Sequence, residues 1–186
     1  MLGLKKGIAI LDALEPVVLA FAVFMMVYLV LAQPHKVDGN SMYPTFHDKE
    51  FILTDKISYR AHDPQRGDVI VFHAPEPFTS DFIKRVIGLP GETIVLKEGK
   101  TYINNKVLPE PYLPNGLQTI EKTTLREGVP YVIPEGRYMV FGDNRNFSSD
   151  SREWGSITRK SIVGKAWLTY WPLDRMRFIK HETYSF

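Results

Sequence analysis

The 186-residue sequence contains no cysteine. That excludes disulfides and thiolate metal sites, and makes the fold indifferent to an oxidising surrounding without fixing a compartment. Excess charge of one sign is also missing. Lys and Arg total 23 against 21 Asp and Glu, a formal net charge of +2, too small for the electrostatic footprint of a nucleic-acid binder. No His-Glu-x-x-His string occurs, and His35, His47, His62, His73 and His181 show no metal-ligand spacing, so no metal is implied. The phosphate-cradling P-loop and the dinucleotide glycine fingerprint are absent as well, and no cofactor is implied. Gly39-Asn40-Ser41-Met42-Tyr43 lacks the closing glycine of a hydrolase elbow, and Ser-x-x-Lys does not occur. There is no internal repeat and no low-complexity tract.

Long apolar runs are also scarce, with one exception. Pro16 to Ala32 carries no charged residue and as a helix spans roughly 25 Å, near the lower limit for crossing a bilayer. Ile8 to Leu14 extends it, with Asp12 and Glu15 near the headgroups; Pro16 begins or kinks the stretch and Pro34 ends it. A transmembrane anchor competes here with a cleavable signal peptide ending at Val30-Leu31-Ala32 and with a buried core helix. The run exceeds a usual signal-peptide core, and few soluble domains supply an apolar sheath all round a helix, so the anchor is the expectation. Lys5 and Lys6 favour a cytoplasmic N-terminus, a preference weakened by His35 and Lys36 on the far side. Residues 1–33 are then a stub and anchor, and 34–186 an extracytoplasmic domain.

Beyond Pro34 short β-rich runs alternate with Gly, Pro and Asn. Strands are predicted at Phe51–Thr54, Asp68–Phe72, Phe82–Ile87, Glu92–Leu96, Thr101–Ile103, Tyr131–Ile133, Arg137–Phe141 and Ile162–Tyr170. Asn104-Asn105 and Leu89-Pro90-Gly91 are turn signals. The polar, proline-dotted stretch Pro109–Pro130 reads as part of an insertion over about 97–135. The fold class is mainly β: a transmembrane helix, then an antiparallel β-sheet domain with a small β insertion.

Three strings are candidates for chemistry. Gly39-Asn40-Ser41-Met42-Tyr43-Pro44-Thr45 presents a serine at a turn, and alone it is only a turn. Phe82 to Gly91 places Lys84 in an apolar β run, on the face opposite Ile83 and Arg85. Either Lys84 or Arg85 then faces inward if both sheet faces are covered; alone, Lys84 reads as an edge-strand guard. Gly142 to Arg152 is dense in Asp, Asn, Ser and Arg, which suits a mutually satisfied buried network. In the same order, and together with Arg66-Gly67-Asp68-Val69-Ile70-Val71-Phe72 and Trp154-Gly155, these strings make the chain resemble the bacterial type I signal peptidases over essentially its whole length. The single anchor and short insertion resemble Gram-positive forms.

The resemblance implies a membrane-bound serine endopeptidase that removes N-terminal signal peptides from exported preproteins after small residues, in an Ala-x-Ala pattern. It implies Ser41 as nucleophile and Lys84 as general base, with Ser148 orienting the amine and Asp143, Arg145, Asp150 and Arg152 holding the loop. Asp150 pairs with Arg145 or Arg152. A free lysine is neutral in only about 1 of 250 molecules at pH 8, so burial by Phe82, Ile83, Val86 and Ile87 has to depress Lys84; Arg85, if close, adds like-charge repulsion. One branch of the family has a serine two places before the nucleophile to complete the oxyanion hole, where this chain has Gly39. By matched position Val37, Gly39, Met42, Phe82 and Ile83 bind substrate, and apolar surface near Tyr43 and Phe46 touches lipid. The implied partners are signal peptides and the bilayer, with no nucleic acid and no metal. Three readings compete with this one. The first is a Ser–His pair using His47 or His73. The second is a relative of the self-cleaving repressors, which carry a DNA-binding head and no span. The third is a catalytically inactive, membrane-tethered β-domain that binds exported chains.

Overall fold

A computed structural model describes residues 2–184; in the N-terminal helix the side chains of 2–13, 27, 29 and 30 lie outside the description. The expected flanking charges Lys5, Lys6 and Asp12 fall among these. Helix α1 spans Leu2–Leu31 with Pro16 inside it. It therefore runs on past the expected Ile8–Leu14 extension, and Pro16 forfeits one intrahelical hydrogen bond without ending the helix. Its apolar side chains turn outward: Val17, Val18, Leu19, Phe21 and Phe24 are each more than half exposed. Among the described residues no helix is long and apolar enough to cross a membrane. The expected span 16–32 includes Val27, Leu29 and Val30, which lie outside the described side chains.

All strand pairings in the two sheets are antiparallel. The main sheet contains β1 (Ala32–Lys36), β2 (Phe51–Asp55), β3 (Val69–His73) and β4 (Asp81–Gly88). A smaller sheet follows: β5 (Thr93–Lys97), β6 (Lys100–Ile103), β7 (Lys106–Val107) and β8 (Tyr131–Val132). The chain then returns to the main sheet as β9 (Arg137–Phe141), β10 (Ile157–Thr158), β11 (Ile162–Trp171) and β12 (Arg177–Phe178). The order is β1-β2-β11-β3-β4-β9-β10, with β12 also on β11, and β7-β6-β5-β8 in the smaller sheet. Pro34, expected to end a helix, lies inside edge strand β1 opposite Leu53; an edge tolerates a residue without an N–H. Asn104 and Asn105 turn β6 into β7 with φ of 49° and 68°, the backbone a tight hairpin requires.

The alternation in β3 explains why the main sheet is covered on both faces. Val69 and Val71 join Val37, Met42, Phe46 and Ile52 in one apolar cluster, while Ile70 and Phe72 join Val86, Val140 and Ile162 in another. A third cluster ties Ile94, Leu96 and Ile103 of the smaller sheet to Ile87, Met139 and Phe141 of the larger. The smaller sheet, which begins at Thr93, therefore shares a core with the main one.

Candidate active site

The serine loop is fixed from below. Met42 and Phe46 are fully buried, and Phe46 N–H donates to the Met42 carbonyl at 3.0 Å, closing a tight turn. Gly39 holds φ +87° with open space where a Cβ would stand, and its N–H donates to Asp48 Oδ1 at 2.8 Å. From the far side of the sequence, Asn144 latches the loop. Its backbone N–H donates to the Ser41 carbonyl at 3.0 Å, and its Nδ2 donates to the Asn40 carbonyl at 3.0 Å.

Lys84 comes from β4, paired with Ile70 of β3. Its side chain is 3% exposed, and Nζ donates to Ser41 Oγ at 2.8 Å and to the Ile83 carbonyl at 2.9 Å. The amine also sits 5.2 Å from the centre of the Phe82 ring. Burial lowers its pKa to about 8, against the opposing pull of Asp150 and Asp143; Lys122 adds to the lowering. About half of the amine is then neutral at pH 8, compared with well under 1% for a free lysine.

Both Lys84 and Arg85 face inward, because both sheet faces are covered. Arg85 is 1% exposed and is held by Asp143: Nε to Oδ1 at 2.9 Å and Nη2 to Oδ2 at 2.7 Å. Its guanidinium lies 4.0 Å over the Tyr112 ring. This pairing corrects the expectation that Arg85 helps to lower Lys84; the cation with that effect is Lys122. Thr45 donates its hydroxyl to Asp143 Oδ2 at 2.5 Å, so Asp143 ties the serine loop to the lysine strand.

The rest of the polar loop divides the alternatives left by the sequence. Arg152, not Arg145, forks onto Asp150 at 2.9 and 2.8 Å. Burial by itself raises the Asp150 pKa, but the Arg152 hydrogen bonds and charge outweigh it and the net shift is downward. Arg145 is fully buried and paired with Glu110. Ser148 is buried in the expected place, yet its hydroxyl makes no hydrogen bond to the amine. It makes no well-aligned hydrogen bond at all, although it lies close enough to Asp150 to help hold that carboxylate ionised.

A cleft of about 600 Å3 opens beside the pair, lined by Val37, Asp38, Ser41, Phe82, Ile83 and Lys84 among others. Of the residues matched to substrate binding, Val37, Phe82 and Ile83 line this cleft. Met42 does not line the cleft; it is 1% exposed within the cluster beneath. Gly39 is not part of the lining either. The sequence reading missed Ser149, His35 and Asp81, which do line it. Asp81, one residue before an apolar run, carries the one readable signal: it bonds His73 Nδ1 at 2.6 Å and His35 Nε2 at 3.3 Å. Neither histidine offered as an alternative base bonds Ser41. His73 is held by Asp81, and His47 lies edge-on to Tyr43.

An antiparallel β domain that joins a hydroxyl and a buried, half-neutral amine at the mouth of a cleft has the layout of a serine peptidase. The family described as "Signal peptidase, peptidase S26" matches residues 10–171. A signal peptidase IB of Staphylococcus aureus (strain MRSA252) is 34% identical over 180 residues, covering 91% of this chain and 93% of the relative. A probable signal peptidase I-2 of Synechocystis sp. is 35% identical over 157 residues, covering 82% of this chain and 69% of the relative. Among solved structures, a signal peptidase I from Enterococcus faecalis V583 aligns with 33% identity and a TM-score of 0.47, covering 55% of this chain and 96% of that one. The chain belongs to the signal peptidase family, peptidase S26.

Proposed function

We propose that this chain is a membrane-bound endopeptidase that cuts signal peptides from exported preproteins after small residues, with Ser41 as nucleophile and Lys84 as general base. The observation that carries this reading is the 2.8 Å contact between Lys84 Nζ and Ser41 Oγ around an amine brought to a pKa of about 8. Neutral Lys84 takes the hydroxyl proton as Oγ attacks the scissile carbonyl. The ammonium then gives that proton to the leaving amine, and an ester to Ser41 remains. Lys84, neutral again, draws a proton from water, which attacks the ester; the ammonium then returns that proton to Ser41 Oγ as the ester bond breaks and the signal peptide leaves. The Ser41 backbone N–H is a donor for the developing oxyanion.

Strand pairing supports an extended substrate. β4 pairs with β3 over Asp81–Arg85 but with β9 only from Arg85 onward, so Asp81–Lys84 keep one free edge that a peptide can join as a strand. Alternate side chains of that peptide then meet Val37, Phe82 and Ile83, which line the cleft; shallow apolar walls suit small residues. Asp143, Arg145, Asp150 and Arg152 act by holding the loops, and Ser148 acts on Asp150, helping to hold that carboxylate ionised.

Helix α1 serves as the anchor in this reading. Thirty residues give roughly 45 Å of helix, more than a bilayer core of about 30 Å, and among its described side chains Val17, Val18, Leu19, Phe21 and Phe24 are each more than half exposed. Residues 1–33 then form the cytoplasmic stub and span, and 34–186 the extracytoplasmic domain, with 97–135 as its insertion. The alternative of an inactive tethered domain is disfavoured because the hydroxyl and amine are in bonding contact. Ser41→Ala and Lys84→Ala each lower preprotein cleavage by at least about a thousandfold, and Lys84→Arg does the same, since guanidinium stays charged. Near-normal cleavage by Lys84→Ala, measured with the full chain in detergent, moves the base elsewhere.

A further inference from the structure

A second groove lies beside Ser41 and shares no lining residue with the cleft. Its walls are Asn40, Tyr43, Asn144 and Phe147. Asn40 precedes the serine, and Asn144 holds the Ser41 carbonyl through its N–H. Ser41 therefore stands between the two grooves.

The aromatics of this groove are unusually placed. Phe147 is 78% exposed, although Arg145 two places before it and Ser148 directly after it are buried at 0% and 2%. Tyr43 is 47% exposed and is braced edge-on by His47, with ring centroids 5.2 Å apart. Neither wall is loose. Phe147 N–H donates to the Asn144 carbonyl at 3.1 Å, Tyr43 N–H donates to the Asn40 carbonyl at 3.1 Å, and Asn144 Nδ2 ties the two walls through the Asn40 carbonyl. Two exposed rings on a rigid frame are the anchors by which protein surfaces grip apolar side chains.

An endopeptidase must seat chain on both sides of the bond it breaks. In the reading proposed above, the acyl half fills the cleft along Val37, Phe82 and Ile83. We infer that the groove between Tyr43 and Phe147 binds the leaving half: the first one or two residues after the cut, in extended form, with preference for an apolar or aromatic side chain. Extended residues advance about 3.3–3.6 Å each, so a side chain one or two places past the scissile bond falls within reach of both rings. This inference rests on Ser41 being the nucleophile and adds a specificity that the cleft does not supply.

The test uses the full-length chain in detergent micelles and two peptides identical up to the cut, one carrying Phe and the other Asp in the first two positions after it. The wild-type chain favours the Phe peptide in kcat/KM by roughly tenfold, the scale of one apolar contact in an open site. That ratio collapses toward one in Phe147→Ala and in Tyr43→Ala, whatever absolute rate remains, and is kept in Phe147→Leu. Equal rates for both peptides with the wild-type chain, or an undiminished ratio in Phe147→Ala, overturn the groove's role alone. A Phe147→Ala defect that appears equally for both peptides, and only when phospholipid vesicles replace detergent, assigns the rings to the bilayer and overturns it too. Cleavage of neither peptide by the wild-type chain overturns the proposed function and the groove together.

Discussion

At Gly142 a single added carbon is enough to separate the reacting groups. A Cβ there meets Ser148 Oγ at 2.1 Å and the Ser41 carbonyl oxygen at 2.4 Å, and the backbone carbonyl has nowhere to move without carrying the nucleophile with it. Gly142→Ala therefore costs roughly a hundredfold in kcat, the scale of a 1 Å misplacement, while thermal unfolding shows a folded protein; unchanged kcat contradicts this. The sequence made Ser41 and Lys84 legible because short strings carry their identity. It did not make their neighbours legible. Arg85 and Asp143 are 58 positions apart, and Arg145 and Glu110 are 35 apart, so nothing local to either string names the partner. Asp150 and Arg152, two apart, were legible as a pair, with only the choice between two arginines left open.

At the scale of elements, the eight predicted strands were readable because short runs rich in β-branched and aromatic residues lie between Gly, Pro and Asn, alternating as in β2 and β5 or continuously apolar as in β3. β1 was not, since Pro34 reads as a break and only edge position tolerates it, and the two-residue strands β7, β10 and β12 are too short to alternate. Least legible was the use of the insertion. Its polar stretch reads from the sequence only as part of an insertion, yet Lys122 Nζ donates to the Ser148 carbonyl at 2.6 Å and pairs with Glu153 at 3.2 Å. Its charge opposes protonation of Lys84. Removing that charge raises the Lys84 pKa, so Lys122→Met moves the acid limb of the rate profile to higher pH and lowers the rate at pH 7 by about two- to fivefold, a modest effect because water screens part of the charge. Lys122→Arg keeps the limb in place. Identical profiles for the wild type and Lys122→Met contradict the coupling.

For the whole molecule, the proposed catalytic pair depends on contacts drawn from both ends of the β domain. Beyond the family-matched residues, Arg177 forks onto buried Glu50 at 3.1 and 2.8 Å and donates to the Thr45 carbonyl at 2.5 Å, bracing the serine loop from behind. His181 accepts the Val69 N–H at 3.1 Å. Burial, with Lys165 adding to it, lowers its pKa to about 4, so its ring stays neutral and able to accept. At the other end, α1 leads directly into edge strand β1, which pairs with β2. That short connection holds the domain close to whatever surrounds the helix. The full chain is expected to stay with the membrane pellet through an alkaline carbonate wash; release into the supernatant contradicts the anchor.

The central claim is that one amine is held dry and half-neutral against the Ser41 hydroxyl. Titration of isotope-labelled Lys84 by NMR in the full-length, detergent-solubilised chain tests it most directly. A midpoint near 8 is the predicted result, with cleavage rate rising through the same pH as the amine loses its proton. A midpoint near the ordinary 10.5, or a rate that rises near pH 6.5 while Lys84 remains charged, contradicts the account.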